Sequence, residues 1–241
     1  MKQRLDKLLA DRALVPSRER AQALILAGRV LVNEQKIEKP GASVDIECAI
    51  RLLGDDLRYV SRGGLKLEHA LKYWQIDVLG QTCLDIGAST GGFTDCLLQH
   101  GAAKVIAIDT GYGQIDMKLR QDPRVILHEK TNARYLKKED VGQEIGLAVM
   151  DVSFISATLL LPAVIEAADL TRLVVLVKPQ FEVGREKVGK GGIVRDEQAQ
   201  LEAIDKVRNS LSSLGLTVHE YIESPILGGE GNREFLLYAQ R

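Results

Sequence analysis

From residue 80 onward the sequence alternates short aliphatic runs with segments of helical periodicity, and this alternation limits the possible folds more than any other feature. The runs are Cys83 to Ile86, Val105 to Ile108, Val125 to Leu127, Leu147 to Met150 and Leu173 to Val177. Short strands separated by helices build a parallel, doubly wound α/β sheet. Between the last two runs the spacing predicts a helix from about Ser156 to Ala168. A long amphipathic helix is expected from Glu197 to Leu214, stopped by Gly215. Val218 to Ile222 and Phe235 to Ala239 supply two closing strands.

Upstream the texture differs. Leu5, Leu8 and Leu9, then Ala21, Leu24 and Ile25, recur at helical spacing around Pro16 and Ser17, so two short helices are expected, the second capped by Ser17 and ended at Gly28. Val30 and Val32 alternate with polar neighbours as a strand does. Asn33-Glu34-Gln35 reads as a turn, Val44 to Ile50 as a further strand, and Gly54-Asp55-Asp56 as a linker. The division is thus a small α+β domain over residues 1–58 and a larger one over 59–241. The net charge of −1 is uninformative, but residues 1–29 hold seven Lys or Arg against three Asp or Glu. Such a local positive excess suits a phosphate-facing surface.

Several classes are disfavoured. Cys48, Cys83 and Cys96 form no Cys-x-x-Cys pair and leave an odd count, which argues against a disulfide framework and a zinc site. No metal is expected. The longest aliphatic stretch, Leu173 to Val177, is far short of the roughly 20 residues that span a bilayer. The N-terminus has no apolar signal core, so a cytoplasmic protein without membrane association is expected. No feature calls for an obligate protein partner.

The segment Asp85-Ile86-Gly87-Ala88-Ser89-Thr90-Gly91-Gly92-Phe93 lies between the first strand and a helix, where glycines let the backbone turn tightly beside a bound cofactor. The second strand ends in Asp109, an acceptor suited to ribose hydroxyls. Gly87-Ala88-Ser89 lacks the second glycine of a dinucleotide loop, and Asp85 would repel a pyrophosphate. S-adenosylmethionine carries an amino acid and no phosphate, so the loop favours a methyl donor. Candidate cofactor residues are Asp85, Gly87, Ser89, Gly91, Gly92, Phe93, Asp109, Asn132 and Asp151.

Beyond the loop, the sequence resembles the hemolysin A (TlyA) family of RNA 2′-O-methyltransferases, whose catalytic domain is similar to FtsJ. The resemblance covers nearly the whole chain. It rests on Arg4-Leu5-Asp6-Lys7, Ser17-Arg18, Gly28-Arg29-Val30 and Val32-Asn33 in the first domain. Further along it rests on Ser61 to Leu67, the Asp85 loop, Asp151 to Ser156, Lys178 to Glu182 and Asn232-Arg233-Glu234. It implies an N-terminal RNA-binding module like that of ribosomal protein S-four, and a Rossmann-like methyltransferase domain with an antiparallel last strand. Ribosomal RNA or a ribosomal subunit becomes the expected partner. Arg4, Lys7, Arg18, Arg20, Arg62, Arg185, Lys187 and Lys190 are the candidate RNA contacts, giving affinity that falls with salt.

The resemblance also implies a tetrad of Lys66, Asp151, Lys178 and Glu234. Asp151 ends the fourth strand and Lys178 the fifth, at the carboxyl edge where open α/β sheets place ligands. An antiparallel last strand brings Glu234 to that edge. Methyl transfer to a hydroxyl needs a base, for which Lys178 beside a second lysine is the candidate. Lys66 orients the substrate, Asp151 bridges to the cofactor methyl, and Glu234 positions a lysine. Either lysine can be the neutral one, because coupled groups titrate together.

Rival readings are weaker. A base aminomethyltransferase would carry prolines after the fourth strand, whereas Asp151-Val152-Ser153-Phe154 keeps only the acid and the aromatic. A cytosine C5 enzyme needs a cysteine there, and none lies beyond Cys96. A membrane-lysing protein, as the family name suggests, needs spanning or amphipathic segments. A noncatalytic RNA scaffold would bind no cofactor. Finally, Glu182 to Asp196, with four glycines and four basic residues against three acids, is expected to be a mobile lid.

Overall fold

The computed structural model describes residues 2–12, 14–15, 17–53, 58–229 and 231–241. The sequence-predicted linker Gly54-Asp55-Asp56 lies outside them. The chain divides into units 1–56 and 57–241.

In the first unit, β1 (Lys2–Arg4) leads into α1 (Leu5–Asp11), and α2 (Arg18–Leu26) follows. The Ser17 hydroxyl accepts the Arg20 backbone N–H at 3.2 Å, and Gly28 ends the helix in the left-handed region, as the sequence implies. β2 (Val30–Val32) and β3 (Gln35–Lys36) form a hairpin whose two turn residues, Asn33 and Glu34, both take positive φ. The expected strand from Val44 to Ile50 is in fact two. β4 (Ser43–Asp45) pairs with β1, and β5 (Ile50–Leu52) with β2. Asp45 causes the break, because its carboxylate accepts the Glu47 N–H at 3.0 Å and its carbonyl the Cys48 N–H at 3.1 Å, turning the chain.

Leu5, Leu9, Ile25 and Val30 are fully buried in this unit, and so is the side chain of Asp6. Its carboxylate accepts two bonds from Arg4 (3.0 and 2.9 Å), one from Arg18 (3.0 Å) and one from Gln22 (2.9 Å). The Arg4 hydrogen bond, against the cost of burial, holds the Asp6 carboxyl well below the usual carboxylate range.

The second unit opens with α3 (Gly63–Tyr73), then β6 (Thr82–Ile86), α4 (Gly92–Gln99), β7 (Lys104–Ile108), α5 (Met117–Arg120), β8 (Val125–His128) and α6 (Lys138–Val141). It continues with β9 (Leu147–Met150), α7 (Leu161–Ala168), β10 (Arg172–Val177), α8 (Pro179–Glu182) and α9 (Glu197–Ser213). β11 (Thr217–Val218), β12 (Ile222–Glu223) and β13 (Phe235–Gln240) close it. The strand order is β11-β13-β10-β9-β6-β7-β8, with β12 also on β13. The five strands β6 to β10 pair in parallel, whereas β13 lies antiparallel to β10. This is the fold class that the alternation of runs implies.

Both faces of the sheet are covered, which is why its strands are apolar throughout. Leu84, Ile86, Leu173 and Val175 point to one side, against Val164 and Ile165 of α7 and Ile204 and Val207 of α9. Cys83, Val174 and Leu176 point to the other, against Leu67 of α3 and Cys96 and Leu97 of α4. The alternation by twos places consecutive residues in different cores.

Two expected elements are altered. The helix foreseen from Ser156 begins only at Leu161, because Pro162 occupies its first turn, and Ala157–Leu159 forms a 3-10 turn instead. The strand foreseen from Val218 to Ile222 is interrupted. His219 to Tyr221, three residues, oppose Leu237 and Tyr238, two, between the pairs Val218 with Ala239 and Ile222 with Leu236. This is a bulge, and the His219 ring stacks on Tyr238 at 4.9 Å.

The Asp6 hub makes a testable claim. Replacing Asp6 by Asn removes the anion that gathers two guanidinium groups, and should destabilise the first unit by about 2 kcal/mol at pH 7. Because the folded pKa is depressed, the contribution is present above about pH 4 and lost as pH falls further. Urea unfolding of both proteins should therefore show a gap that narrows below about pH 4, and a pH-independent gap would refute the ionic origin.

Candidate active site

The loop after β6 is shaped by two glycines. Gly87 has φ 85°, and a Cβ there would collide with the Asp151 carbonyl oxygen. Gly91 has φ 94°, and a Cβ would meet the side chain of Leu119. Both positions combine left-handed backbone with close approach, so only glycine suits them. Asp109, just past β7, accepts the Ser89 N–H at 2.7 Å and the Gly111 N–H at 2.6 Å, which fixes its carboxylate against the same loop.

Two cavities flank this loop. The larger, about 410 Å³, is walled by Ile108, Ile155 and Leu160 on its apolar side, and by Asp109, Asn132 and Gln114 on its polar side. The smaller, about 220 Å³, is lined by Ser61, Arg62, Lys66, Gly92 and Phe93 among others. Gly87, Ser89 and Asp151 belong to both and form their common wall. Asn132 spends its side-chain carbonyl on the Arg134 N–H at 3.0 Å, so its amide orientation is set.

The four candidate catalytic residues stand at the carboxyl edge. Asp151 follows β9 and is tied to β6 through its backbone N–H and the Ile86 carbonyl at 2.9 Å. Lys178 and Glu234 flank the antiparallel pair Val177 and Phe235. Lys66 comes from the first turn of α3. Lys178 Nζ lies 2.6 Å from Asp151 Oδ1 and donates to Ser153 Oγ at 2.8 Å, so one ammonium group meets both side chains. Lys66 Nζ donates to Glu234 Oε2. Both lysines are 8% exposed and Glu234 is 2% exposed, so these charges are sequestered in pairs. Each lysine is matched to its own carboxylate.

Asp85 departs from its expected place. It is fully buried, lines neither cavity, and accepts the Thr94 hydroxyl at 2.6 Å, because it still lies within β6 and its side chain turns to the face that α4 covers. Its Oδ1 has no hydrogen bond. Burial pushes its carboxyl up to about 7, with the Thr94 hydroxyl opposing the rise and the Asp151 and Asp109 charges adding to it. Gly91 and Phe93 are likewise buried; Gly91 forms no part of either wall.

Among the candidate RNA contacts, Arg4 and Arg18 remain about half exposed while paired with Asp6. Lys187 pairs with Glu202. Lys7, Arg62, Arg185 and Lys190 are exposed, and Arg20 is partly buried. The segment 182–196 is not the free lid expected from its glycines. Glu182 is buried and bonds Ser156 and the Ala157 N–H, and Val194 is 2% exposed, its N–H donating to Asn232 Oδ1 at 2.9 Å. The glycines serve 3-10 turns at Arg185–Lys187 and Lys190–Gly192.

Sequence reasoning singled out neither Ser153 nor Asn232, nor Phe154 for the favoured chemistry. Phe154 is 92% exposed, has φ 65°, lines the larger cavity and meets the Phe181 ring at 5.3 Å. A bulky residue in left-handed backbone beside a catalytic acid is a sign of function that no sequence pattern displays.

A model of the FtsJ-like methyltransferase family matches residues 59–241. The chain belongs to that family. The S4 domain model matches residues 3–47. The chain is 44% identical to the 16S/23S rRNA (cytidine-2'-O)-methyltransferase TlyA of Mycobacterium tuberculosis, over 98% of this chain and 88% of the relative. It is 42% identical to hemolysin A of Brachyspira hyodysenteriae, over 98% of each. A solved structure of a candidate hemolysin from Streptococcus thermophilus superposes with TM-score 0.78 at 43% identity, covering 100% of this chain and 88% of that one. The magnesium protoporphyrin IX methyltransferase of Synechocystis, at 16% identity and TM-score 0.52 over 78% of this chain and 86% of that one, shares the fold. The second unit is thus an S-adenosylmethionine-dependent methyltransferase by family and fold. Among the described residues no helix is long and apolar enough to cross a membrane.

The raised Asp85 value gives a signed prediction. The folded state keeps a proton that the unfolded chain releases above about pH 4, so this group's contribution to stability falls as pH rises from about 4 to about 7 and is level beyond. The total is on the order of 4 kcal/mol. Asp85→Asn, which cannot ionise, should show a flatter decline between about pH 4 and 7 in denaturant unfolding. Parallel pH profiles for the two proteins would refute the shifted carboxyl.

Proposed function

We propose that this protein transfers a methyl group from S-adenosylmethionine to a ribose 2′-hydroxyl of ribosomal RNA in the cytoplasm. The observation that carries this reading is the pair of lysine–carboxylate contacts, Lys178 with Asp151 and Lys66 with Glu234, around the wall shared by two cavities. The names of the Mycobacterium and Campylobacter relatives, the latter a 23S rRNA (cytidine-2'-O)-methyltransferase 36% identical over 92% of this chain, support the same substrate. The S4 match supports RNA as the partner, with Arg4, Lys7, Arg18 and Arg20 as its contacts in the first unit and Arg62, Arg185, Lys187 and Lys190 in the second.

The larger cavity fits the cofactor. Its apolar wall suits a flat ring system, the fixed Asp109 carboxylate still has lone pairs for ribose hydroxyls, and its volume lies within the range of small-ligand sites. When bound, S-adenosylmethionine supplies an electrophilic methyl group on a sulfonium. Lys66, oriented by Glu234, draws the ribose oxygen toward the common wall. Lys178, in its amine form, would take the hydroxyl proton on Nζ, and Ser153 and Asp151 fix the direction of Nζ. Phe154 offers an exposed ring on which the base of the target nucleotide can stack. That same ring beside Asp151 favours the one competing chemistry, methylation of the base.

The distinction is experimental. Labelled methyl transfer to unmodified ribosomal RNA, followed by nucleoside analysis, should place the label on ribose; label on a base would sink the 2′-hydroxyl reading. Lys178→Ala should lower turnover by roughly 10²–10⁴-fold, while the cofactor dissociation constant stays within error, since the lysine lines neither cavity. Asp109→Ala should do the reverse, weakening cofactor binding in calorimetry because ribose hydroxyls lose their acceptor. Near-normal turnover of the lysine variant, or undiminished affinity of the aspartate variant, would refute the role assigned to each.

A further inference from the structure

Asn232 stands two residues before Glu234 and touches neither cavity, yet it is 1% exposed and both ends of its amide are used. Nδ2 donates to the Gly192 carbonyl at 2.8 Å, and Oδ1 accepts the Val194 N–H at 2.9 Å. The side chain therefore grips the backbone on both sides of residue 193. That stretch is held from its other side as well, the Val194 carbonyl accepting Gln200 Nε2 at 2.8 Å and the Ile193 carbonyl accepting the Gly189 N–H at 3.0 Å.

The backbone of Asn232 points the other way. Its carbonyl accepts the Gly228 N–H at 2.8 Å, and the Glu234 carbonyl accepts the Ser224 N–H at 2.8 Å. Gly228 presses on the Glu234 carboxylate so closely that a Cβ there would collide with Oε1. Glu234 in turn holds Lys66. One amide thus joins the turn bearing Lys190, which follows the turn bearing Arg185, to the carboxylate that aims Lys66.

We propose that Asn232 is a positioning residue that couples engagement of the basic segment 185–190 by RNA phosphates to the alignment of the Lys66–Glu234 pair. This rests on the RNA methyltransferase reading above. Lys190 is two residues from Gly192, so a phosphate that draws the turn toward itself pulls on the Asn232 amide. The Val194 bond is buried and the Gly192 bond half-buried, so water competes little with the amide when the turn shifts, and the pull passes to the Glu234 arm. A merely structural asparagine would lower stability without linking the two regions.

A double-mutant cycle on the full chain separates these cases. Turnover, KM for an unmodified ribosomal RNA transcript and cofactor affinity are measured for wild type, Asn232→Ala, the loop variant Arg185→Gln/Lys190→Gln, and the combination. The coupling predicts that Asn232→Ala lowers kcat roughly 10- to 100-fold with cofactor affinity unchanged. The loop variant should raise KM and lower kcat in the wild-type background, but leave kcat unaltered once Asn232 is gone. Asn232→Asp, which keeps the acceptor for Val194 and loses the donor to Gly192, should recover part of kcat; it also provides the second arm of the cycle if the alanine variant fails to fold. Independent, multiplicative effects on kcat, or a loss confined to the melting temperature, overturn the coupling alone. A wild-type protein that methylates no ribosomal RNA overturns the function reading and the coupling with it.

Discussion

The antiparallel pairing of β13 with β10 is the constraint on which the rest of the active edge depends. All six residues of β10 pair with all six of β13, from Arg172 with Gln240 to Val177 with Phe235, so the register admits no slip without moving every side chain to the opposite face. Five of the six residues on each strand are buried, and burying each leucine, valine or phenylalanine among them contributes roughly 1.5–3 kcal/mol. That apolar seam places Lys178, which leaves β10, beside Glu234, which enters β13. Were β13 parallel, Glu234 would stand at the far edge of the sheet. Packing of leucines and valines therefore determines where the charges meet.

Charge is then balanced locally. Three carboxylates, Asp85 inside the end of β6 and Asp109 and Asp151 just past β7 and β9, stand on adjacent parallel strands, and each has a different environment. Asp85 is enclosed and tends to keep its proton, Asp109 is satisfied by backbone N–H groups, and Asp151 faces Lys178. Desolvating so many ions at one edge is costly unless each has a partner, and the pairing seen here supplies one to most of them. The unsatisfied Oδ1 atom of Asp85 is what that balance leaves over.

Much of this was legible in the sequence. The five parallel strands follow from runs too short for helices and too apolar for a one-sided sheet, and Ser17, Gly28 and the Asn33 turn announce themselves by local chemistry. Elements were lost where a single side chain overrode the pattern: Asp45 folding back on Glu47, Pro162 delaying α7, and one extra residue bulging β11 away from β12. The positions of the tetrad came from a resemblance joined to strand-end reasoning, since no pattern in the chain alone links Lys66 to a residue 168 positions away. Composition misled at 182–196. Glycines suggest mobility, but what restrains that segment is the buried amide of Asn232, whose partners are backbone atoms and leave no trace in side-chain identity.

Phe154 shows what such a site costs its own fold. Holding a phenylalanine at φ 65° is strained by roughly 1–3 kcal/mol, and the residue is 92% exposed, so its contact with the Phe181 ring offsets little of that cost. Glycine adopts the same backbone freely, so Phe154→Gly is the uncommon aromatic deletion expected to raise the unfolding midpoint. On the reading that this ring stacks the target base, the Phe154→Gly protein would be the more durable of the two and the poorer enzyme.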